Sequence, residues 1–343
     1  MKIIIPMAGK GSRFLPHTLN TPKALISIGG KTILRRLVES LSKIIQIFSI
    51  EEIIFIIGNF GNDVEKQLIK LSHDMSVNPV IYYQIIPLGT ADALLKAKNS
   101  LTGEPIIVAF SDSLFYHDSF DKEITDQVDN IIWTKKVKNP HLFGIVKCDS
   151  SGIITNFIEK PNNYVSNIAI VGLYYFNNSF LLKKELQSML DHNIKNKKNK
   201  EEYQLTSVLE NMRKKGEKFT SKQVKEWMDF GNKKRTIYSN SKILSRESKN
   251  SELIHRKVVI KNSLIIKPCS IEENTNIENS IIGPYVSIGK YTKIKNSNIK
   301  KSLIQDYTTI QHANLNHSII GSHSTYIGEK SKKVSLSDYS VFK

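Results

Sequence analysis

The C-terminal part of the chain repeats a short apolar pattern, and this repeat restricts the possible folds more than any other feature. Isoleucine or leucine recurs every six residues, sometimes every five, at Ile265, Ile271, Ile277, Ile282, Ile288, Ile294, Ile299, Ile304, Ile310, Leu315 and Ile320. A longer period lies over it, because Asn262-Ser263 returns seventeen residues later as Asn279-Ser280 and then as Asn296-Ser297. Such repeats indicate a solenoid, in which coils that cannot bury their own apolar face stack and share one core.

The hexapeptide period predicts a left-handed parallel β-helix over residues 253–330. Residues 331–343 are predicted to be a C-terminal tail, and the polar segment 236–252 a linker. We expect the β-helix to serve assembly into a homo-oligomer rather than chemistry, because solenoid faces are flat and their ends need covering.

Residues 1–235 read as a separate α/β domain. Four runs are apolar along their length, as expected of buried parallel strands: 3–5, 51–57, 80–84 and 105–110. Two segments between them carry apolar residues at helical spacing: 32–49 and 63–71. This alternation predicts a Rossmann-like, mostly parallel sheet flanked by helices.

Composition narrows the class of protein. The net charge of +17 could suit nucleic acid, but the lysines are spread along the chain apart from a run at 195–200 that reads as a solvated loop. We therefore expect anionic small substrates and no nucleic-acid partner. The apolar runs are too short to cross a membrane, and the N-terminus does not read as a signal peptide. Only Cys148 and Cys269 are present, which favours a reducing cytoplasm.

A glycine loop follows the first strand. Gly9 and Gly11 let main-chain N–H groups approach an anion, and Arg13 and Lys23 add two cations. The loop is neither a dinucleotide fingerprint, since Phe14 replaces its third glycine, nor a Walker loop. An ordinary tight turn is the alternative, but the glycines and cations together suit the polyphosphate of a nucleoside triphosphate.

The whole string resembles the signature of the sugar-phosphate nucleotidylyltransferases, of the glucose-1-phosphate thymidylyltransferase and uridylyltransferase kind. The signature residues present are Gly9, Gly11, Ser12, Arg13, Pro16, Thr18, Pro22, Lys23 and Leu25, and the chain departs at Ala8, where most members have glycine. The resemblance implies that nucleotide is bound by Ala8, Gly9, Gly11 and Ser12, together with Gln84 and Gly89 further along the chain. It also implies that Arg13 holds the leaving phosphates and that Lys23 meets the α-phosphate.

Later motifs of the same family follow in order. Gln84, five residues before Gly89, matches the base-binding glutamine, whose donor and acceptor edge complements the imide of uracil or thymine. The resemblance assigns sugar binding to Gly144, Glu159 and Gly172, and assigns the incoming phosphate to Lys160. Taken alone, Glu159 and Lys160 read equally well as an exposed ion pair beside a turn.

Two aspartates match the family's Mg²⁺ ligands. Asp112 follows the strand at 105–110, with Ser111 where the family has glycine. Asp229 lies in a segment that resembles the pattern Trp-x-Asp-x-Gly-Thr/Ser, with Asn232 at the last place. Hard carboxylate oxygens are the ligands that Mg²⁺ prefers. The resemblance therefore implies Mg²⁺ as cofactor.

The combined motifs predict an enzyme that joins a nucleoside triphosphate, UTP or dTTP favoured, to a sugar 1-phosphate. Two alternatives stay open. One is a two-headed enzyme whose repeat domain also transfers acyl groups, with His312, His317 or His323 as base. The other is a non-catalytic sensor of sugar nucleotides.

Overall fold

The computed structural model describes residues 1–9, 11–19, 21–116, 129–195, 202–328 and 331–342. Its contacts divide the chain into two compact units. The first comprises Met1–Gly9 and Leu37–Trp227, and the second comprises Lys10–Arg36 and Met228–Lys343. The predicted boundary at residue 235 does not show that the glycine-loop segment, Lys10–Arg36, groups with the C-terminal part of the chain. The lysine run predicted to be a solvated loop falls largely on residues 196–201, outside the described ranges.

Short strands and seven helices make up the described chain before the repeats. The strands are β1 Lys2–Pro6, β2 Ser27–Ile28, β3 Lys31–Thr32, β4 Glu52–Ile57, β5 Asn78–Tyr83, β6 Ile106–Ala109, β7 Ser113–Tyr116, β8 Asn130–Lys136, β9 Gly144–Cys148, β10 Ile154–Glu159, β11 Ile168–Phe176, β12 Phe219–Gln223 and β13 Glu226–Asp229. The helices are α1 Ile33–Ser40, α2 Ser42–Ile47, α3 Asn62–Asp74, α4 Thr90–Lys96, α5 Ser179–Lys195, α6 Leu205–Lys214 and α7 Lys233–Glu247.

The first unit is built on one sheet in the order β10-β9-β11-β6-β1-β4-β5, with β8 joining β11 and β12 joining β8. Strands β6, β1, β4 and β5 are parallel neighbours, and β11, β9 and β10 add antiparallel pairs. Ile4, Ile54 and Val108 are fully buried in its core. This confirms the predicted mostly parallel sheet, and it places the carboxyl ends of β6, β1, β4 and β5 along one edge.

Two predicted segments differ in the structure. The helical segment 32–49 forms two helices, α1 and α2, with Leu41 between them. The segment 236–252 is not an unpacked linker, since α7 covers most of it and buries Thr236, Ile243 and Leu244. Three of the six buried residues of this helix, Thr236, Ser239 and Asn240, are polar, so its buried face does not form an apolar pattern in the sequence.

The repeats form three parallel sheets, as predicted for a β-helix. Their strands are β14 Val259–Lys261, β15 Leu264–Ile265, β16 Cys269–Ile271, β17 Asn276–Glu278, β18 Ile281–Ile282, β19 Val286–Ile288, β20 Lys293–Lys295, β21 Asn298–Lys300, β22 Leu303–Ile304, β23 Thr309–Gln311, β24 Asn314–Asn316, β25 Ile319–Ile320, β26 Thr325–Ile327, β27 Ser331–Lys332, β28 Ser335–Leu336 and β29 Val341–Phe342. Every third strand pairs in register, first seventeen residues apart and then sixteen.

The predicted end of the β-helix at residue 330 is too early. Strands β27, β28 and β29 pair in parallel with β24, β25 and β26, so the described coils continue to Phe342. The apolar hexapeptide pattern fades there because Ser331, Lys332 and Ser335 lie on two of the last three strands, while backbone pairing needs no particular side chain.

The Asn-Ser repeat has a backbone explanation. Asn262, Asn279 and Asn296 adopt left-handed φ values of 46°, 49° and 49°, which asparagine tolerates better than most residues. The serine that follows accepts a main-chain hydrogen bond from the next coil, as Ser280 Oγ does from Ser297 N at 3.0 Å. No helix in the described part of the chain is long and apolar enough to cross a membrane.

Candidate functional site

The predicted site residues fall into both units, and each group is described within its own unit. In the first unit, Gln84 directly follows β5 and its main-chain N–H donates to Ile57 O at 2.8 Å. Its side chain is 3% exposed. The amide Nε2 donates to Gly89 O at 3.0 Å and to Asp92 Oδ2 at 2.8 Å. Because both partners are acceptors, the amide orientation is fixed, and Oε1 is the atom left to meet a ligand.

Asp92 is a site residue that the sequence prediction missed. It lies on α4, is 2% exposed, and forms an ion pair with Lys96 Nζ at 3.0 Å. A buried carboxylate needs such partners to offset the loss of hydration. The sequence feature that could have indicated Asp92 is an aspartate among the small and apolar residues of a short helix, one turn before Lys96.

Gly89 is required by a close backbone approach. Its φ is 118°, and a Cβ there would lie 2.5 Å from both N and O of Tyr203. Tyr203 donates to Leu88 O and accepts from Ala91 N, both at 2.8 Å. A side chain at position 89 would therefore push this segment away from the start of α4.

Asp112 lies just beyond the carboxyl end of β6 and is half-buried. The neighbouring Ser111 donates from Oγ to Pro6 O at 3.1 Å, which ties the ends of β6 and β1 together. Serine at the family's glycine position is thus accommodated by a hydrogen bond. Gly172 accepts from Phe110 N at 2.8 Å and has a φ of 87°, so this bend of β11 also favours glycine.

Glu159 is held as a hydrogen-bond acceptor. Its Oε2 accepts from Thr206 Oγ1 at 2.7 Å, and its Oε1 pairs with Lys160 Nζ at 3.2 Å. A Cβ at Gly144 would lie 3.1 Å from both Glu159 Oε2 and Thr206 Oγ1, so glycine keeps this space open. Burial raises the pKa of Tyr174, and the charges of Glu159 and Asp112 raise it further. Both carboxylates therefore act on the same region of the sheet.

In the second unit, the described residues of the segment 11–25, here called the signature loop, form a series of tight turns. Gly11 has a φ of 58°, and its carbonyl accepts from Thr18 Oγ1 at 3.0 Å and from Phe14 N at 2.7 Å. Phe14 is fully buried and anchors the turn, whereas Ser12 and Arg13 are exposed. This exposure leaves the Arg13 guanidinium accessible to a phosphate.

Asp229 ends β13 and is already paired. Its Oδ1 accepts from Gly231 N at 2.6 Å, and its Oδ2 forms an ion pair with Arg235 Nη1. Asn232 caps α7, because its Oδ1 accepts from Arg235 N at 2.9 Å. Serine and threonine cap helices in the same way, so Asn232 preserves the local role of the residue that the family pattern has there.

The carboxylate oxygens of the two aspartates suit a hard cation, although Asp229 is already paired with Arg235. Across the described ranges, no three His, Cys, Asp or Glu side chains gather into a metal-binding cluster. A divalent ion at either aspartate would rely on substrate phosphates for further oxygen ligands, which is common for Mg²⁺. At Asp229 the ion would share the carboxylate with the Arg235 guanidinium.

Comparison with known proteins gives a consistent result. The profile of the nucleotidyl transferase family matches residues 2–246. The chain is 28% identical over 279 residues to the bifunctional protein GlmU of Methanococcus aeolicus, which covers 81% of this chain and 62% of that protein. It is 32% identical over 197 residues to mannose-1-phosphate guanylyltransferase catalytic subunit beta of Drosophila pseudoobscura pseudoobscura, covering 54% and 50%. The chain thus spans less than two thirds of the length of these relatives.

Solved structures share the fold. A Bacillus anthracis protein assigned as a glucose-1-phosphate thymidylyltransferase, crystallised with sucrose, superposes with a TM-score of 0.62 at 22% identity, covering 74% of this chain and 96% of that one. A UDP-glucose pyrophosphorylase from Acinetobacter baumanii gives 0.58 at 20% identity, covering 72% and 94%. At these identities the likeness concerns the fold.

Proposed function

The chain belongs to the nucleotidyl transferase family, and we propose that it joins a nucleoside triphosphate to a sugar 1-phosphate and releases pyrophosphate. The observation that carries the proposal is the match of the family over residues 2–246, which includes every predicted site residue. The arrangement of Gln84, Glu159 and the exposed Arg13 described above supports it. One of the cited relatives is named as a mannose-1-phosphate guanylyltransferase, which is chemistry of this kind.

The proposed reaction is one in-line displacement. A phosphate oxygen of the sugar 1-phosphate attacks the α-phosphorus, the bond from that phosphorus to the bridging oxygen breaks, and pyrophosphate leaves. The protein then needs to position the substrates and neutralise charge rather than form a covalent intermediate. Arg13 would hold the leaving phosphates, Lys23 the α-phosphate, and Lys160 the incoming phosphate, while Glu159 would accept hydrogen bonds from sugar hydroxyls.

Mg²⁺ is proposed as the cofactor, held by Asp112 and Asp229. When bound, it would neutralise phosphate charge and polarise the α-phosphate. The Ser111 hydrogen bond to Pro6 fixes the backbone beside Asp112. The Gly231 N–H fixes one oxygen of Asp229 and leaves that carboxylate to be divided between Arg235 and the ion.

The proposed base is uracil or thymine. Since both amide protons of Gln84 are used within the protein, its Oε1 acts as an acceptor alone, and not as the paired donor and acceptor that the sequence suggested. Uracil and thymine carry a ring N–H that matches this acceptor. Cytosine and adenine present a ring nitrogen lone pair there, which would leave two acceptors facing each other. Guanine also carries a ring N–H, which makes GTP the informative competitor.

The described ring contacts of one candidate base, His323, do not favour acyl transfer by the repeats. His312, His317 and His323 adopt left-handed turn conformations with φ values of 51°, 51° and 54°. The ring of His323 is stacked between Tyr307 and Tyr339, at centroid distances of 4.7 and 4.8 Å. The three rings stack on one another across successive coils, so both faces of the His323 ring are covered.

The cellular setting and assembly stay proposals as well. Cys148 and Cys269 are free thiols, which suits a reducing cytoplasm. Homo-oligomer formation would give a solution mass that is a multiple of 39.0 kDa, which light scattering measures directly.

The proposed function is tested by crossing UTP, dTTP, GTP and ATP with a panel of sugar 1-phosphates, with and without Mg²⁺. We expect equimolar pyrophosphate and nucleotide sugar from at least one pair, only when Mg²⁺ is present. Nucleotide-sugar binding without pyrophosphate release would instead indicate a sensor. Consumption of an acyl donor such as acetyl-CoA would indicate the acyltransferase alternative.

A further inference from the structure

The signature loop has little internal structure to define its shape. Its described residues form two single 3-10 turns, Ser12–Phe14 and Lys23–Leu25, joined by short i to i+3 hydrogen bonds. Several of its carbonyl groups therefore need partners from elsewhere, since main-chain polar groups that are removed from water are normally paired. Within the second unit these partners come from the C-terminal part of the chain.

The last coil of the β-helix contacts the loop with three side chains. Ser337 Oγ donates to Pro16 O at 3.0 Å, and Ser335 Oγ lies 2.8 Å from His17 Nε2. Asp338 Oδ2 accepts from Thr21 Oγ1 at 3.3 Å. This is the coil that the sequence prediction treated as a tail.

Lys233, at the start of α7, links the same two segments. Its Nζ donates to Leu15 O at 3.1 Å and to Ser335 Oγ at 3.2 Å. The carbonyls of two consecutive loop residues thus accept from side chains more than two hundred positions away, and Pro16 O accepts from Leu19 N at 3.2 Å as well. They lie between Arg13 and Lys23, the two cations assigned to the triphosphate.

The contacts continue along one face of the β-helix after the loop. Ser27 exchanges two hydrogen bonds with the Gln305 side chain, at 3.3 and 3.1 Å. Gly29 N donates to Ser287 Oγ at 3.2 Å. Ser287 and Ser335 lie on β19 and β28, strands of a single sheet, and Gln305 directly follows β22 of that sheet. The residues that follow the loop therefore also contact this regular sheet of the β-helix.

We infer that the last coil of the β-helix is a positioning element for triphosphate binding, through Ser335, Ser337 and Asp338. This inference rests on the proposed function, because it takes Arg13 and Lys23 to be the phosphate-binding cations. It differs from the expectation that the repeats serve assembly alone. A displacement of about 1 Å can cost on the order of a hundredfold in rate, so a loop with few internal restraints depends strongly on its support.

The test is the double variant Ser335→Ala/Ser337→Ala in the full-length chain. The variant loses two hydrogen bonds to the loop and one from Lys233, and the two lost loop contacts predict roughly a tenfold fall in kcat/KM for UTP. The loss should appear mainly in KM for the triphosphate and not in KM for the sugar 1-phosphate. Ser322→Ala is the matched control, since among the described residues its side chain makes no hydrogen bond to the loop, and it should behave like the parent.

A second variant approaches the same contact from the loop. Thr21→Val removes the donor to Asp338 and should also raise KM for UTP, while restoring the hydroxyl with Thr21→Ser should recover most of the affinity. A purely structural role would lower Tm in these variants without separating the two KM values. Parent-like kinetics in both the double variant and Thr21→Val, with the parent active, would overturn the inference.

A readout that does not need turnover separates this inference from the proposed function. Hydrogen exchange of the loop amides should be faster in the double variant than in the parent and in Ser322→Ala. A parent chain that makes no nucleotide sugar would contradict the proposed function, and the exchange data would still decide whether the coil holds the loop. Unchanged loop exchange would overturn the positioning role.

Discussion

At the scale of single residues, the orientation of one amide determines which atom the proposed base-binding residue offers to a ligand. Gln84 offers Oε1 because Asp92 and the Gly89 carbonyl take both of its N–H groups. The sequence indicated the glutamine through its spacing from Gly89, but it could not indicate the orientation, which depends on a carboxylate eight positions away.

Replacing Asp92 tests that dependence. In Asp92→Asn the side chain at 92 can donate as well as accept, so the Gly89 carbonyl is the one of these two partners that still requires an N–H from the Gln84 amide. We expect the preference for UTP over ATP and CTP to fall roughly tenfold, the equivalent of one hydrogen bond. Competition of the triphosphates at equal concentration measures this. Asp63→Asn, at an exposed position of α3, is the control, and an unchanged preference in Asp92→Asn would contradict the account.

The second residue-scale prediction concerns Mg²⁺. Arg235 neutralises Asp229, so Arg235→Met should lower the Mg²⁺ concentration needed for half-maximal activity, whereas Asp229→Asn and Asp112→Asn should each raise it severalfold. Lys234→Met, at the exposed neighbouring position, controls for loss of a positive charge. Identical Mg²⁺ titrations for Arg235→Met and the parent would show that the guanidinium does not compete with the ion.

At the scale of elements, the signature loop contains a buried histidine that makes stability depend on pH. His17 is 5% exposed, and burial, followed by the charge of Lys233, lowers its pKa to about 4. The folded chain therefore binds this proton less readily than the unfolded chain, whose histidine has a pKa near 6.5. The stabilising contribution of neutral His17 is fully present above about pH 6.5, the pKa in the unfolded chain, and it is lost as the pH falls from there through about 4.

The matched variant is His17→Gln, which keeps a hydrogen-bonding group toward Ser335 but does not titrate. Between pH 7 and pH 4 the parent should lose on the order of 3 kcal/mol more unfolding free energy than the variant. Denaturant unfolding at several pH values gives the difference, in which contributions of other groups cancel. Parallel pH curves for the two proteins would contradict a neutral buried His17.

The elements that the sequence predicted well are those with strong periodicity. The apolar strands of the sheet and the repeated isoleucines of the coils form local patterns, which predict these elements without knowledge of their distant partners. The α1–α2 break at Leu41, the packed helix α7 and the last coil were missed, because their burial involves polar side chains and long-range partners. Asn240, for example, is buried on α7 and accepts a hydrogen bond from Ser287 Oγ at 2.7 Å.

At the scale of the whole molecule, the order of segments along the chain conceals which of them fold together. Six motifs in sequence order predicted one catalytic domain over residues 1–235. The contacts instead group residues 10–36 with the β-helix, through hydrogen bonds such as those of Ser27 with Gln305. Such partners lie hundreds of positions apart, and neither composition nor spacing in one sequence reveals them.

The central claim is that an oxygen of a sugar 1-phosphate attacks the α-phosphorus of a nucleoside triphosphate. The most direct measurement uses a sugar 1-phosphate that carries ¹⁸O in its phosphate, with mass spectrometry of all products and with Lys23→Ala as the inactive but folded control. The account predicts that the label stays in the nucleotide sugar, that the pyrophosphate is unlabelled and equimolar with it, and that Lys23→Ala forms neither. Hydrolysis of the triphosphate with the labelled sugar phosphate left unchanged, or parent-like turnover by Lys23→Ala, would contradict it.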